Sequence, residues 1–199
     1  MNVANQITVG RLGLSIVLFV LMAFLDDTAT PGPWLLFAGM TLFITIVVTD
    51  ALDGYYARKL KQISDFGRIA DPAVDKITVC GTLVFLAAAP WAREVLDPWM
   101  VAVILSREFV INGLRSFLES KGISFGADWG GKAKMIQQCI AVPAVFFFKL
   151  IEQWCAGIDW AVSTTLWFAH VNVWIMVVLT VGTGVSYIAK GARLLRQQV

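Results

Sequence analysis

The chain has 199 residues, of which 58% are hydrophobic and only 15% are charged, with a net charge of +2. Soluble domains carry about 25% charged residues, so this composition excludes an ordinary soluble enzyme. One histidine and three cysteines exclude a multi-histidine metal site and indicate no disulfide framework. Because no Pro-, Gly- or Ser-rich linker divides the sequence, we expect one membrane domain over residues 1–199.

Six stretches of the chain are apolar and long enough to cross a bilayer, which takes about 20 residues of helix. In chain order they are residues 10–26, 34–58, 70–90, 97–118, 133–153 and 166–190. Pro31 and Pro33 separate the first two, Pro90 and Pro98 bracket the turn after the third, and Gly131 lies where the fifth opens. The sequence therefore predicts an all-α, polytopic membrane protein with six transmembrane helices.

Basic residues are concentrated at one set of span ends. Of the 16 lysines and arginines, only Arg93 and Lys149 lie near the opposite ends. Because cytoplasmic loops of membrane proteins are enriched in Lys and Arg, this distribution predicts that both termini and the loops 59–69 and 119–132 are cytoplasmic. An even number of spans agrees with termini on one side.

Four aspartates flank the loop between the second and third spans. Asp50 and Asp53 are three residues apart, and Asp71 and Asp75 are four apart, so each pair lies on one helix face. A short loop connects the two helices, so the pairs can face each other. Oxygen ligands suit hard divalent ions such as Mg²⁺ or Mn²⁺, and four carboxylates can bridge two metals about 3.5–4 Å apart. The pattern predicts a two-metal site for phosphoryl chemistry.

A purely structural role is the alternative for these carboxylates. They could pair with neighbouring basic side chains, and Asp71 before Pro72 could cap a helix. However, Gly54 and Ala57 share the face of the first pair and would let a nucleotide approach the backbone. Arg58 can bind a phosphate bidentately. Four carboxylates beside small residues therefore favour the metal site.

This segment resembles the signature of the CDP-alcohol phosphotransferase family. The matching positions, at fixed gaps, are Asp50, Asp53, Gly54, Ala57, Arg58, Gly67, Asp71 and Asp75. The resemblance implies an integral membrane enzyme with six helices and two divalent metals, usually a homodimer, that cleaves a CDP-linked donor and releases CMP. By position it assigns the four aspartates as metal ligands and Asp75 also as the base for the acceptor hydroxyl. It assigns the binding of cytidine diphosphate to Asp53, Gly54, Ala57, Arg58 and Gly67.

Three further segments resemble family members that use CDP-diacylglycerol as donor and glycerol 3-phosphate as acceptor. They begin at Asn5, Arg107 and Gly131. A dianionic acceptor needs a basic pocket beside the metals, and a helix N-terminus also favours anions. The candidates for binding the acceptor phosphate are Thr8, Arg11, Arg107, Arg115, Lys132 and Lys134. Each cation among them could instead face lipid phosphates or serve topology alone, and Glu108 could orient Arg107.

The expected partners are these two substrates, membrane lipids and a second copy of the chain, with no nucleic acid. The expected location is the bacterial cytoplasmic membrane, with the active site on the cytoplasmic side. Two other functions remain open: a related enzyme whose acceptor is inositol phosphate, serine or phosphatidylglycerol, and a cation transporter that uses the aspartates as its ion path. A transporter predicts acidic residues across the membrane depth, whereas these gather at one face. A scaffold without chemistry would leave the costly aspartates unexplained.

Overall fold

The computed structural model describes residues 3–26, 30–60, 65–123 and 129–196, without the side chains of 3–7, 26, 52–60 and 65–72. These described ranges form helices and turns and contain no β-strand. The helices are α1 (Val3–Asp26), α2 (Pro33–Leu60), α3 (Asp65–Ala88), α4 (Pro98–Ser120), α5 (Trp129–Trp154) and α6 (Asp159–Arg196), and a 3₁₀ turn (Pro90–Ala92) follows α3. The prediction of an all-α protein is confirmed.

Each predicted span falls on one helix, but several boundaries differ. α2 and α4 begin at Pro33 and Pro98, where proline is preset for the first helical turn. α6 begins at Asp159 rather than at residue 166, because the carboxylate in its first turn complements the helix dipole. α3 already begins at Asp65, so Asp71 lies inside the helix and the suggestion that it caps α3 is wrong.

The helices pack as a ring whose order differs from their order along the chain. Neighbours around the ring are α1, α2, α5, α6, α4 and α3, and α3 also contacts α5 across it. Every helix contributes fully buried apolar side chains to one shared core: Leu18, Phe43, Leu83, Ile104, Phe146 and Val173. This order brings α3, which carries half of the aspartate signature, against α1, α4 and α5.

A close helix contact joins α1 to α3. A Cβ added at Gly81 would overlap the ring of Phe19, and that ring is stacked on Phe85 with centroids 5.7 Å apart. Gly81 thus lets an aromatic ring lie directly on the α3 backbone. Beside it, the hydroxyls of Ser15 and Thr78 share a buried hydrogen bond of 2.6 Å.

Side-chain contacts bring the turns after α1, α3 and α5 to one end of the bundle. The indole Nε1 of Trp91, in the turn after α3, donates to the carbonyl of Leu25 at 3.2 Å. The amide of Gln153, near the end of α5, donates to the carbonyl of Pro31 at 2.8 Å. The start of α1, the end of α2 and the start of α3 therefore lie at the opposite end, which we call the polar end.

The outward surface is apolar, as expected of a protein whose helices face lipid. Its most exposed apolar side chains include Phe24, Trp34, Phe109, Trp160 and Trp167. Four described stretches are long and apolar enough to cross a membrane: Thr8–Leu25, Pro33–Ala51, Trp129–Trp154 and Asp159–Arg196. The protein is therefore a helical membrane protein. α3 and α4 are not among these stretches, and both carry charged side chains such as Lys76 and Glu108.

Candidate active site

Arg11 joins the second and third helices at the polar end. Its side chain extends from α1 and is 4% exposed. One guanidinium nitrogen pairs with Asp50 of α2, and the other donates to Asp75 of α3. The carboxylates are 24% and 22% exposed, so they are partly withdrawn from water. Asp50 and Asp75 are 25 positions apart in the sequence, yet both carboxylates pair with Arg11.

Buried hydroxyl groups hold α1 in register with α3 beside this ion pair. Ser15 donates to the carbonyl of Arg11 at 2.9 Å and shares a hydrogen bond with Thr78. Thr78 in turn reaches the carbonyl of Val74 at 2.9 Å. Because a buried polar group costs free energy unless it is paired, this ladder favours one alignment of the two helices. That alignment sets Arg11 opposite Asp75.

Part of the predicted metal and nucleotide site lies outside the described side chains. These residues are Asp53, Gly54, Ala57, Arg58, Gly67 and Asp71, whose backbones lie in α2 and α3. Among the residues that are described, no group of three or more His, Cys, Asp or Glu could hold a metal ion. The two described members, Asp50 of α2 and Asp75 of α3, both pair with Arg11 and supply carboxylate oxygens. This donor set fits a hard divalent ion.

A small cavity of about 10 Å³ adjoins the ion pair. Arg11, Asp50 and Asp75 line it, together with Cys139 of α5. Thr8 lies almost one turn before Arg11 on α1 and is also buried. Neither Thr8 nor Arg11 lines the larger cavity described next, so these two predicted acceptor residues lie apart from the other four.

The larger cavity has a volume of about 240 Å³ and lies among α3, α4, α5 and α6; we call it the basic cavity. Its lining contains basic side chains from three helices: Lys76, Arg107, Arg115, Lys132 and Lys134. Asp75 and Glu108 are the acidic side chains that line it within the described residues. The structure thus brings together four predicted acceptor residues, and Asp75 borders both cavities.

Glu108 organises the charges of the basic cavity. Glu108 is 8% exposed, and its carboxylate accepts hydrogen bonds from Arg107 Nη1, at 3.0 Å, and from Lys134 Nζ. In the described part of the chain, Arg115 and Lys132 form no ion pair, and the buried Nε of Arg115 has no hydrogen-bond partner. Arg115 and Lys132 are therefore the cations best placed to bind an anion in this cavity.

Several residues of this site were not predicted from the sequence. Lys76 donates to the side-chain carbonyl of Asn112, and both line the basic cavity. Tyr187 of α6 lines it as well. Lys76 follows Asp75 directly in the sequence, so it could have been predicted as a residue of the site. Tyr187 could not have been predicted, since the sequence does not distinguish an aromatic site residue in a long apolar helix from a core residue.

Several known proteins are similar to this chain in sequence. The chain matches the family model described as CDP-alcohol phosphatidyltransferase over residues 1–181. A relative from Bacillus subtilis, named CDP-diacylglycerol–glycerol-3-phosphate 3-phosphatidyltransferase, is 34% identical, and the match covers 98% of this chain and 97% of the relative. A relative of the same name from Cereibacter sphaeroides is 30% identical over 83% of this chain and 86% of its own length. One from Mycoplasma pneumoniae, again of that name, is 39% identical over 59% of this chain and 51% of its own.

Proposed function

This chain belongs to the CDP-alcohol phosphatidyltransferase family, and on that premise we propose that it transfers the phosphatidyl group of CDP-diacylglycerol to glycerol 3-phosphate. The products are phosphatidylglycerol phosphate and CMP. The position of Asp75 is the observation that carries this proposal. It borders both the small cavity, with Asp50 and Arg11, and the basic cavity. A base at that position can serve a donor on one side and an anionic acceptor on the other.

The donor side is assigned to the aspartate signature. Asp50, Asp53, Asp71 and Asp75 would hold two divalent cations, Mg²⁺ or Mn²⁺, which neutralise charge on the diphosphate when bound. Gly54, Ala57, Arg58 and Gly67, with Asp53, bind the cytidine diphosphate while the diacylglycerol stays in the bilayer. Arg11 keeps Asp50 and Asp75 together, and Thr8 lies on the same stretch of α1.

The acceptor side is assigned to the basic cavity. Arg115 and Lys132 hold the phosphate of glycerol 3-phosphate, with Arg107 and Lys134 beside them. Asp75 then takes the proton from the 1-hydroxyl as general base. The freed oxygen attacks the β-phosphorus in line, and CMP leaves. Five basic and two acidic side chains line the cavity within the described residues, and this excess of positive charge supports a doubly charged acceptor.

We also propose that all six helices cross the membrane, so that residues 1–199 form one catalytic domain. The turns after α1, α3 and α5 meet at one end, which supports an antiparallel arrangement of every helix. The basic residues gather at the polar end, so both termini and the active site would face the cytoplasm of a bacterium. The homodimer rests on the family resemblance alone and stays a prediction.

Purified protein in lipid vesicles with labelled CDP-diacylglycerol tests the proposed reaction. Glycerol 3-phosphate, inositol phosphate, serine and phosphatidylglycerol are offered in turn, and CMP and the lipid product are measured. We expect rapid CMP release and phosphatidylglycerol phosphate with glycerol 3-phosphate only. A product with another acceptor instead would overturn the acceptor assignment. If no acceptor released CMP, while the vesicles became permeable to divalent cations, the transporter would be the better interpretation.

A further inference from the structure

We propose that Thr183, Gly184 and Tyr187 of α6 are positioning residues that hold Arg107 in the basic cavity and thereby set the affinity for the acceptor. The inference rests on the proposed function, since it concerns how the acceptor phosphate is held. All three residues lie beyond residue 181, where the match to the family model ends. Nothing in the aspartate signature assigns them a role.

Thr183 fixes one side of the Arg107 guanidinium. Arg107 Nη2 donates to Thr183 Oγ1 at 3.1 Å, while Nη1 donates to Glu108 at 3.0 Å. The hydroxyl of Thr183 itself donates to the carbonyl of Leu179 at 2.6 Å. That bond leaves the oxygen lone pairs of Thr183 free to accept from the arginine. The planar group is therefore held at two corners, by α4 and by α6.

Tyr187 covers a face of the same guanidinium. The central carbon of Arg107 lies 5.6 Å from the centre of the Tyr187 ring, a distance at which a cation is attracted to an aromatic face. Tyr187 is buried and lies one turn after Thr183, so both contacts come from one face of α6. A Cβ at Gly131 would lie 3.1 Å from the Tyr187 hydroxyl, so α6 also lies close to the start of α5.

Gly184 leaves room for the arginine side chain between these two contacts. A Cβ added at Gly184 would lie 3.0 Å from Arg107 Cγ and 3.7 Å from Nε. The Nε of Arg107 is buried and has no hydrogen-bond partner among the described residues. An anion in the basic cavity would supply the missing acceptor. The position of the arginine stem, set by Gly184, therefore decides whether Nε can reach such an anion.

Two pairs of matched variants test this assignment. Gly184→Ala is compared with Gly182→Ala in the same helix, where an added Cβ meets nothing within 4 Å. Thr183→Val, which keeps the shape and loses the acceptor, is compared with Thr183→Ser, which keeps the hydroxyl. We expect Gly184→Ala and Thr183→Val to raise the KM for glycerol 3-phosphate on the order of tenfold. The KM for CDP-diacylglycerol should stay within about twofold, and the two control variants should behave like the wild type.

The outcomes separate this inference from the proposed function. If the wild type does not use glycerol 3-phosphate, the proposed function fails. If it does, and both test variants keep its acceptor KM, α6 does not position Arg107 and the inference fails. An equal rise in both KM values, or a fall in unfolding temperature that Gly182→Ala does not share, would show a general packing defect and would also overturn it. A rise in the acceptor KM alone, seen in Thr183→Val and absent in Thr183→Ser, would establish the positioning role.

Discussion

Asp75 lines both the small cavity assigned to the donor side and the basic cavity assigned to the acceptor. Replacing it by asparagine keeps its shape but removes both the base and one carboxylate of the ion pair with Arg11. We expect Asp75→Asn to abolish turnover more completely than it weakens binding of CDP-diacylglycerol, because the other aspartates still serve the donor. Turnover and donor affinity of the purified variant are the measurements. Asp97→Asn, exposed and at the opposite end, is the control, and near-normal turnover of Asp75→Asn would exclude the base role.

Among the described residues, Arg115 and Lys132 are the basic side chains of the basic cavity that form neither an ion pair nor a side-chain hydrogen bond, whereas Lys76 donates to Asn112. A hydrogen bond to a charged group contributes about 1.5–3 kcal/mol, so removing either should cost on the order of tenfold to a hundredfold in kcat/KM for glycerol 3-phosphate. The effect should lie mainly in the acceptor KM. Lys121→Ala, an exposed cation that contacts Phe117, serves as the control. Loss of donor affinity with unchanged acceptor affinity would mean that these residues bind lipid phosphate instead.

The sequence predicted which basic side chains belong to the site better than it predicted what each of them contacts. Arg107, Arg115, Lys132 and Lys134 were predicted to share a pocket, and they line one cavity. Arg11 carried the same prediction, yet the structure places it between two carboxylates. The difference arises because a cation's partner depends on which helices pack together, and α1 packs on α2 and α3 rather than on α4. The hydrophobic pattern that identifies each helix carries little information about that order.

Among the elements, the contact of α1 with α3 depends on a glycine. A methyl group at Gly81 would overlap the Phe19 ring, and the stack on Phe85 restricts how far that ring can move. We expect Gly81→Ala to lower the free energy of unfolding by about 1–3 kcal/mol, as overpacking does elsewhere. Gly113→Ala in α4 is the matched control, since its Cβ would meet nothing within 4 Å and alanine favours helix. Thermal unfolding in detergent measures both, and equal stability of the two variants would contradict the proposed importance of this contact.

The helix boundaries could be predicted where a proline or glycine lies at the end of an apolar stretch. α2 and α4 begin at Pro33 and Pro98, each within one residue of the predicted start, and Gly130 and Gly131 lie in the first turn of α5. The extent of α6 was not predictable from hydropathy, because its first turn contains Asp159 and its end contains Arg193 and Arg196. Those charges suit the two ends of a helix dipole, but a search for apolar stretches stops before it reaches them. The predicted span is thus the lipid-sized part of a longer helix.

The charged side chains of the candidate site also make it harder to tell which helices cross the membrane. α3 carries Asp75 and Lys76, and α4 carries Arg107, Glu108 and Arg115. Although the sequence predicts a span in each, neither helix is among the four described stretches that are apolar enough to cross a membrane. In the ring these side chains face the basic cavity rather than lipid. Charged side chains inside a membrane bundle commonly face an internal cavity, where partners and water reduce their cost. A low apolar content is therefore compatible with helices that cross the bilayer.

Whether α3 and α4 cross can be decided by labelling two exposed positions, Glu94 in the turn between them and Lys121 at the end of α4. Each is replaced by cysteine in a variant that lacks the native cysteines and retains activity. With six spans and a cytoplasmic polar end, a membrane-impermeant thiol reagent added outside should reach Glu94→Cys and spare Lys121→Cys until the membrane is opened. If only four helices cross, α3 and α4 both stay inside and neither cysteine is labelled from outside. Labelling of Lys121→Cys alone from outside would reverse the orientation and put the site beyond cytosolic glycerol 3-phosphate. We expect the first pattern, because Trp91 ties the Glu94 turn to the far end of α1.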